Sequence, residues 1–418
     1  MVILVWIVIQ RNQMGSRAHL KADLPLLIGA VIFVGATRYF GNLCCLTATR
    51  PPPIQQILIA IATFGFASVL LRLITKKNTL SLALVGILIL LIFIVMKSET
   101  FSLRASYALR SLMGQDPSLA TPQDLPWLGF SYLAFRLLHT IRDAQGGKLN
   151  NFTLGEFTTY VLFFPALTAG PIDRSQRFVE DLRSPVSDLN RSTWIGLQRI
   201  LYGMFKKFAL ADSLAIFSLN SQNASQVNAP FWMWVLLYMY SLRLYFDFSG
   251  YTDIALGLGS IAGINLPENF KAPYLKSNLT TFWNSWHITL ANWFRAYFFN
   301  PLTRYLRGST HKFPIWQIVL VGQVTTMLLI GLWHGITWNF IVWGLWHGIG
   351  LFVHNRWSEW RRSRAINNEP NLQLKRLETF SGWLITFHYV TLGWVWFAMP
   401  GIALSWRVFA VLFGSGNP

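Results

Sequence analysis

The chain reads as long apolar runs separated by short polar connections, and one run, Thr79 to Met96, continues for eighteen residues without a charge. A helix rises about 1.5 Å per residue and about twenty residues cross a hydrocarbon layer, so this run predicts a membrane-crossing helix. Lys76 and Lys77 before it and Lys97 after it supply basic ends that reach toward headgroups. Further helices are predicted over Pro25 to Val34, Ile54 to Ile74, Phe152 to Ala169, Phe231 to Leu242, Ile315 to Leu332, Thr337 to Val353, Gly382 to Phe397 and Ile402 to Phe413. Four other segments, Pro126 to Leu138, Trp194 to Ile216, Ile254 to Ile264 and Leu279 to Leu302, are apolar but broken by charge or glycine. They read either as spans or as helices lying at an angle inside the protein, because irregular backbone at membrane depth persists only where protein or water lines it. The expectation is an all-α polytopic membrane protein with about nine to twelve helices crossing or entering the bilayer.

Composition agrees with that pattern. Of 418 residues, 53% are hydrophobic, 15% aromatic and 12% charged, too little polar surface to coat a soluble globule of this size. The formal net charge of +18 would suggest nucleic acid in a soluble protein. Here, however, the basic residues gather in connections: Arg72 to Lys77, Arg174 to Arg191, Arg304 to Lys312 and Arg356 to Arg376. That is the bias of cytoplasmic loops facing anionic membrane lipids, and no aromatic-interleaved basic groove for nucleic acid is present. If the connections Leu302 to Phe313 and Asn355 to Arg376 are both cytoplasmic, the two helices between them form a hairpin whose tip lies deep or toward the outer face.

The apolar stretch from Met1 to Gln10 lacks a preceding charge and a small-residue cleavage site, and so does not read as a removable signal peptide. Cys44 and Cys45 are adjacent and do not suggest a disulfide framework. No cluster has metal-ligand spacing, so no metal is expected. Neither an internal repeat nor a low-complexity tract is evident. The polar break from Lys97 to Asp124 divides residues 1–124, purely hydrophobic helices, from a more aromatic remainder; residues 125–354 form the expected core, and 355–418 a basic connection followed by terminal helices.

Ionisable side chains at membrane depth are costly, which singles out His287 in Trp283-Asn-Ser-Trp-His and His334 in Gly331-Leu-Trp-His-Gly, 47 positions apart. Neutral imidazole is a general base near pH 7. On a continuous helix Asn284 would share a face with His287 and orient its ring, and Trp338 would follow His334 by one turn and wall the site. Asn339 suits either a hydrogen bond to reacting groups or an ordinary bond between membrane helices. Arg295 suits either a donor phosphate or an anionic headgroup. His347 is balanced between packing and function, whereas His354 and His388 read as structural. Asp247 and Asp253 need partners, with Arg243 one turn before Asp247 the obvious one. Asp173 and Arg174 read as a capped loop with an internal salt bridge.

Several segments together carry a family likeness: Leu128-Gly-Phe-Ser-Tyr-Leu-Ala-Phe-Arg, Phe163-Phe-Pro-Ala-Leu-Thr-Ala-Gly-Pro-Ile-Asp-Arg, Tyr245-Phe-Asp-Phe-Ser-Gly-Tyr-Thr-Asp, Pro267-Glu-Asn-Phe, Trp283-Asn-Ser-Trp-His and Gly331-Leu-Trp-His-Gly. In order and spacing they resemble the membrane-bound O-acyltransferases (MBOAT), in the bacterial branch of the alginate O-acetylation and teichoic acid D-alanyl transfer proteins. The resemblance implies broken or re-entrant helices around a central tunnel. It also implies transfer of acetyl or D-alanyl from an acyl thioester, on acyl-CoA or an acyl carrier protein, to a hydroxyl of an extracytoplasmic cell-envelope polymer. No bound cofactor is implied; a second, extracytoplasmic transfer protein is. His334 matches the family's essential histidine, the base; His287 matches its second histidine, which positions the donor or polarises its carbonyl. The chain departs from the pattern at Trp283-Asn-Ser-Trp, where arginine often precedes the tryptophan, and at Phe294-Arg-Ala-Tyr, where an acidic residue commonly follows the arginine. A transporter relaying protons through the two histidines is the alternative, against which stands the absence of a repeated half.

Overall fold

The computed structural model describes all residues except 10–15, 41–50, 75–77, 126, 150, 185–187, 365–371 and 416–418. The readings of Cys44, Cys45, Lys76 and Lys77 fall outside the described residues. Among those described, every regular element is helical, as the apolar runs predict. Among the described residues, two helices are both long and apolar enough to cross a bilayer alone, Leu80–Lys97 and Ile315–His334. Large apolar side chains such as Ile87, Leu88 and Leu91 stand about half exposed on the first of these, an exterior suited to lipid.

The chain divides into two compact units: Met1–Ile94 with Trp127–Thr168 and Asp173–Pro185, and Val95–Pro126 with Ala169–Ile172 and Val186–Pro418.

The first unit is organised by one buried arginine. Arg136, in the helix Phe130–Gln145, donates from Nη1 to the Val161 carbonyl at 2.9 Å and from Nη2 to that of Ala166 at 2.8 Å. It thereby satisfies the Val161 carbonyl that the helix Leu154–Leu162 leaves open at its C-terminus, together with one in the short turn Phe164–Ala166 that follows. Gly129 precedes this arginine's helix at φ 83°, and a Cβ there would stand 2.7 Å from the Leu167 carbonyl oxygen. The segments 128–136 and 163–168 are therefore two halves of one packing device. Tyr160 extends it, with its hydroxyl 2.8 Å from His139 Nε2 and donating to the Asp173 carbonyl at 2.9 Å. The Asp173 carboxylate pairs with Arg177, one turn into the helix Ser175–Arg183, and not with Arg174, which contributes only its backbone N–H at 2.8 Å.

The second unit is built on the 32-residue helix Pro230–Ile261. It packs antiparallel against Leu189–Met204 through two glycine pairs. A Cβ on Gly203 would meet the Gly250 carbonyl at 2.6 Å, and one on Gly196 the Gly257 carbonyl at 2.7 Å. Helix association in lipid depends on close packing, and small residues permit it. A π-helical turn, Phe205–Ala211, continues the shorter helix and carries Lys206 and Lys207. Lys206 Nζ donates to Asp253 at 2.5 Å and Lys207 Nζ to Asp247 at 2.5 Å, while Arg199 bridges Asp253 at 2.6 Å and Glu268 at 2.7 Å. The expected Arg243 to Asp247 pair is thus replaced by pairing between helices, which the sequence spacing along one helix cannot reveal.

Ile315–His334 and Trp338–Arg364 form a hairpin with His334 at its tip. Gly331 and Gly344 let the arms touch: a Cβ on Gly344 would lie 2.7 Å from the Met327 carbonyl, and one on Gly331 would collide with the Phe340 carbonyl. The helix Leu372–Ala398 is fastened through Tyr274, whose carbonyl accepts from Trp383 Nε1 at 2.8 Å and whose hydroxyl accepts from Trp394 Nε1 at 3.0 Å while donating to the Ser241 carbonyl at 2.9 Å.

Candidate active site

His287 lies between two short helices, Leu279–Trp283 and Ile288–Phe294, in the left-handed conformation at φ 44°. A residue bearing a Cβ adopts this region at a cost of about 1–2 kcal/mol, so the surroundings must impose it. They do so with a dense set of hydrogen bonds. Asn269, fully buried, accepts at its carbonyl from Ile288 N at 3.0 Å and at Oδ1 from Thr289 N at 3.1 Å and Thr289 Oγ1 at 2.6 Å. On the other side of the break, Lys271 N donates to the Ser285 carbonyl at 3.0 Å. Ile172 N, from the Gly-Pro-Ile segment, donates to Thr289 Oγ1 at 3.0 Å.

The imidazole turned inward by this break is 3% exposed and meets Phe248 edge to face, with ring centroids 4.7 Å apart. Trp333 stands 6.1 Å from the His287 ring and 4.6 Å from that of His334, so one indole adjoins both imidazoles. His334, the last residue of its helix, is further enclosed by Phe397 at 4.8 Å, Trp343 at 5.5 Å and Phe340 at 5.8 Å. Both histidines line one cavity of about 40 Å³, walled by Phe248, Trp283, Trp286, Trp343, Trp394 and Phe397. Two residues far apart in sequence thus share a small, largely apolar chamber.

Beyond Trp283 and Ile330, which border both spaces, lies a second cavity of about 150 Å³ lined by Asn284, Arg295, Gln323 and Thr326. Thr280 also borders a third, about 520 Å³, with Asn278, His354, Ser358, Arg361 and Arg362 around it. The linings grow more polar from the aromatic chamber through the second cavity to the basic third one.

The other sequence-selected residues fall into place around these spaces. Asn284 and His287 do not share a helix face, because the helix ends at Trp283 with Asn284 as its cap and His287 turns left-handed; Asn284 Oδ1 instead accepts from Arg295 Nη2 at 2.5 Å, and both line the second cavity. Trp338 is 73% exposed and walls nothing, since Gly335 adopts an extended conformation and ends the first arm of the hairpin. Asn339 is a fastener between helices, donating from Nδ2 to the Met399 carbonyl at 2.8 Å and to Ser405 Oγ at 3.0 Å. His347 is fully buried against Trp343 at 4.9 Å and Trp283 at 5.1 Å, behind the chamber wall. His354 bonds Thr280 and Ser358 in the outer cavity, and His388 bonds Tyr238. Among the described residues, no group of three or more His, Cys, Asp or Glu is placed to hold a metal.

Sequence reasoning did not single out Asn269, Thr289 or Trp333, and it read Lys97 as a headgroup anchor, whereas its Nζ stands 3.5 Å from the His334 carbonyl oxygen. The signal for Asn269 was present in the Pro267-Glu-Asn-Phe segment, and that for Lys97 in its being the first charge after the longest apolar run.

Among the described residues, long apolar helices mark a membrane protein, and its second unit holds a small chamber lined by two histidines. Residues 78–392 match the profile of MBOAT, the membrane-bound O-acyltransferase family, and the chain belongs to that family. It is similar to the probable alginate O-acetylase AlgI of Azotobacter vinelandii, 32% identical over 327 residues, covering 77% of this chain and 60% of that protein. It is 35% identical over 310 residues to the teichoic acid D-alanyltransferase of Streptococcus thermophilus, covering 69% of this chain and 72% of the relative. A peptidoglycan O-acetyltransferase of Helicobacter pylori is 33% identical over 268 residues, covering 63% and 48%. The chain therefore spans less than two thirds of the length of the first and third of these relatives.

Proposed function

We propose that this protein is a multi-pass O-acyltransferase of the inner or plasma membrane, moving acetyl or D-alanyl from a thioester to a hydroxyl of an extracytoplasmic envelope polymer. The observation that carries this reading is the shared chamber of His287 and His334. Residues 125–354 act as the catalytic core, with residues 1–124 and 355–418 as flanking membrane elements. The donor is acyl-CoA or an acylated carrier protein, no bound cofactor takes part, and a second, extracytoplasmic protein completes delivery to the polymer. The names of the three relatives support envelope polymers as acceptors.

In the mechanism, His334 takes the proton of the acceptor hydroxyl as its oxygen attacks the thioester carbonyl. A tetrahedral intermediate forms, the carbon–sulfur bond breaks, and the thiol leaves with the proton that imidazolium returns. His287 positions the donor or polarises its carbonyl. A general base contributes about 10²–10⁴-fold to such a step. The three neighbouring cavities, which share Trp283, Ile330 and Thr280 as borders, support a long, narrow donor laid across them. Arg361 and Arg362 in the third cavity suit its phosphates, Arg295 and Asn284 its polar arm, and the aromatic chamber its small acyl end.

The test is the acyl content of envelope polymers in cells carrying His334→Ala or His287→Ala at normal protein levels. The expected result is loss of acylation with His334→Ala and a fall of at least about tenfold with His287→Ala. Unchanged acyl content in the His334 variant would overturn the reading, and loss of solute or proton movement without any acyl chemistry would favour a transporter.

A further inference from the structure

The residue directly behind the two-histidine chamber is Lys97. It is the final residue of the helix Asn78–Lys97, and its Nζ stands 3.5 Å from the carbonyl oxygen of His334. The same ammonium lies 5.8 Å from the centroid of Trp333, the indole that adjoins both imidazoles.

A helix leaves its last carbonyls without intrahelical partners and carries partial negative charge at that end. Ile315–His334 stops abruptly at the hairpin tip, so its terminal carbonyl group belongs to the residue whose side chain lines the chamber. One cation therefore meets the negative end of the His334 helix and the face of an aromatic ring, two interactions that each favour positive charge. A lysine held only as a headgroup anchor would reach away from the protein; this one reaches a backbone oxygen of residue 334.

We propose that Lys97 is a positioning residue for acyl transfer, holding the last turn of the His334 helix and the Trp333 indole so that both imidazoles keep their places in the chamber. The inference rests on the acyltransferase reading, and it concerns a residue that does not line the chamber. Misplacing a catalytic group by about 1 Å costs on the order of 10²-fold, so loss of this contact lowers turnover without weakening donor binding.

The test uses the full-length protein in membranes, with acetyl-CoA and D-alanyl-loaded carrier protein as donor probes, and Lys97→Met, Lys97→Gln and Lys97→Arg. The expected result is a fall in kcat of about 10- to 100-fold for the Met and Gln variants, KM for the active donor unchanged, and recovery to within about threefold of wild type for Arg. Wild-type kcat in the Met variant, a raised KM at constant kcat, or failure of Arg to restore turnover would overturn the proposal. If Met and Gln both reduce the amount of folded protein and Arg restores only that amount, the role is structural and the proposal fails equally. A wild-type protein inactive with both donors would instead reject the acyltransferase reading itself, which separates the two failures.

Discussion

Asn269 holds Thr289 twice, its carboxamide oxygen accepting from the backbone N–H at 3.1 Å and from the hydroxyl at 2.6 Å, two residues beyond the left-handed His287. All of these groups are buried. The costly backbone of a chamber histidine is thus imposed by a side chain eighteen positions away in sequence.

Replacing Asn269 with Leu leaves two buried donors unsatisfied, at about 1–3 kcal/mol each. The expected outcome is a lower melting temperature in detergent together with a fall in transfer of at least about tenfold, since His287 loses the frame that turns it inward. Thr289→Val tests the hydroxyl alone, which also accepts from Ile172 N at 3.0 Å, and should be milder. Wild-type transfer by the Asn269 variant would show that the break holds itself.

The ion pairs between helices should separate by burial. The Asp253 side chain, 7% exposed, sits between Arg199 and Lys206, and Asp253→Asn leaves two cations facing a neutral amide. Breaking a buried pair costs about 3–5 kcal/mol, and the partial exposure of both cations places the expected loss near the lower end. The Asp247 side chain, 47% exposed and paired with Lys207, should lose no more than about 1 kcal/mol on substitution with Asn. Thermal unfolding of the two variants side by side measures the difference, and equal losses would contradict this account.

Acid should loosen the connection that follows the helix Glu99–Leu112. Asp124 accepts from Ser106 Oγ at 2.5 Å, from Arg110 Nε at 3.0 Å and from Thr121 Oγ1 at 2.8 Å. These bonds, the Ser106 hydroxyl first, hold its carboxyl well below the usual carboxylate range. A depressed value in the folded state means that the contribution is complete above the unfolded value of about 3.9 and is lost as pH falls through the folded one. Amide hydrogen exchange across residues 99–124 should therefore be insensitive to pH-linked opening near neutrality and rise once pH drops below about 4, after correction for intrinsic exchange. Asp124→Asn should produce the same opening at neutral pH. Identical protection in both proteins would remove Asp124 from the role of clasp.

The helical class, the apolar exterior and the two histidines were legible in the sequence because they are local: a run of apolar residues fixes a helix, and an ionisable side chain in such a run stands out whatever packs against it. The family motifs likewise placed His287 and His334 in an ordered pattern. What the chain alone could not decide was direction and partnership. A continuous helix through Asn284 and His287 puts them on one face; the break at φ 44° separates them and gives Asn284 to Arg295. Helical continuity past Gly335 would have kept Trp338 beside His334, but the hairpin turn sends it outward and leaves Trp333 to join the histidines. Asp247 found Lys207 rather than Arg243, and Lys97 found the His334 carbonyl, because packing between helices selects partners that sequence spacing does not encode. Short-range periodicity sets where helices form, whereas the chamber exists only once long-range hydrogen bonds and close glycine contacts have set which faces meet.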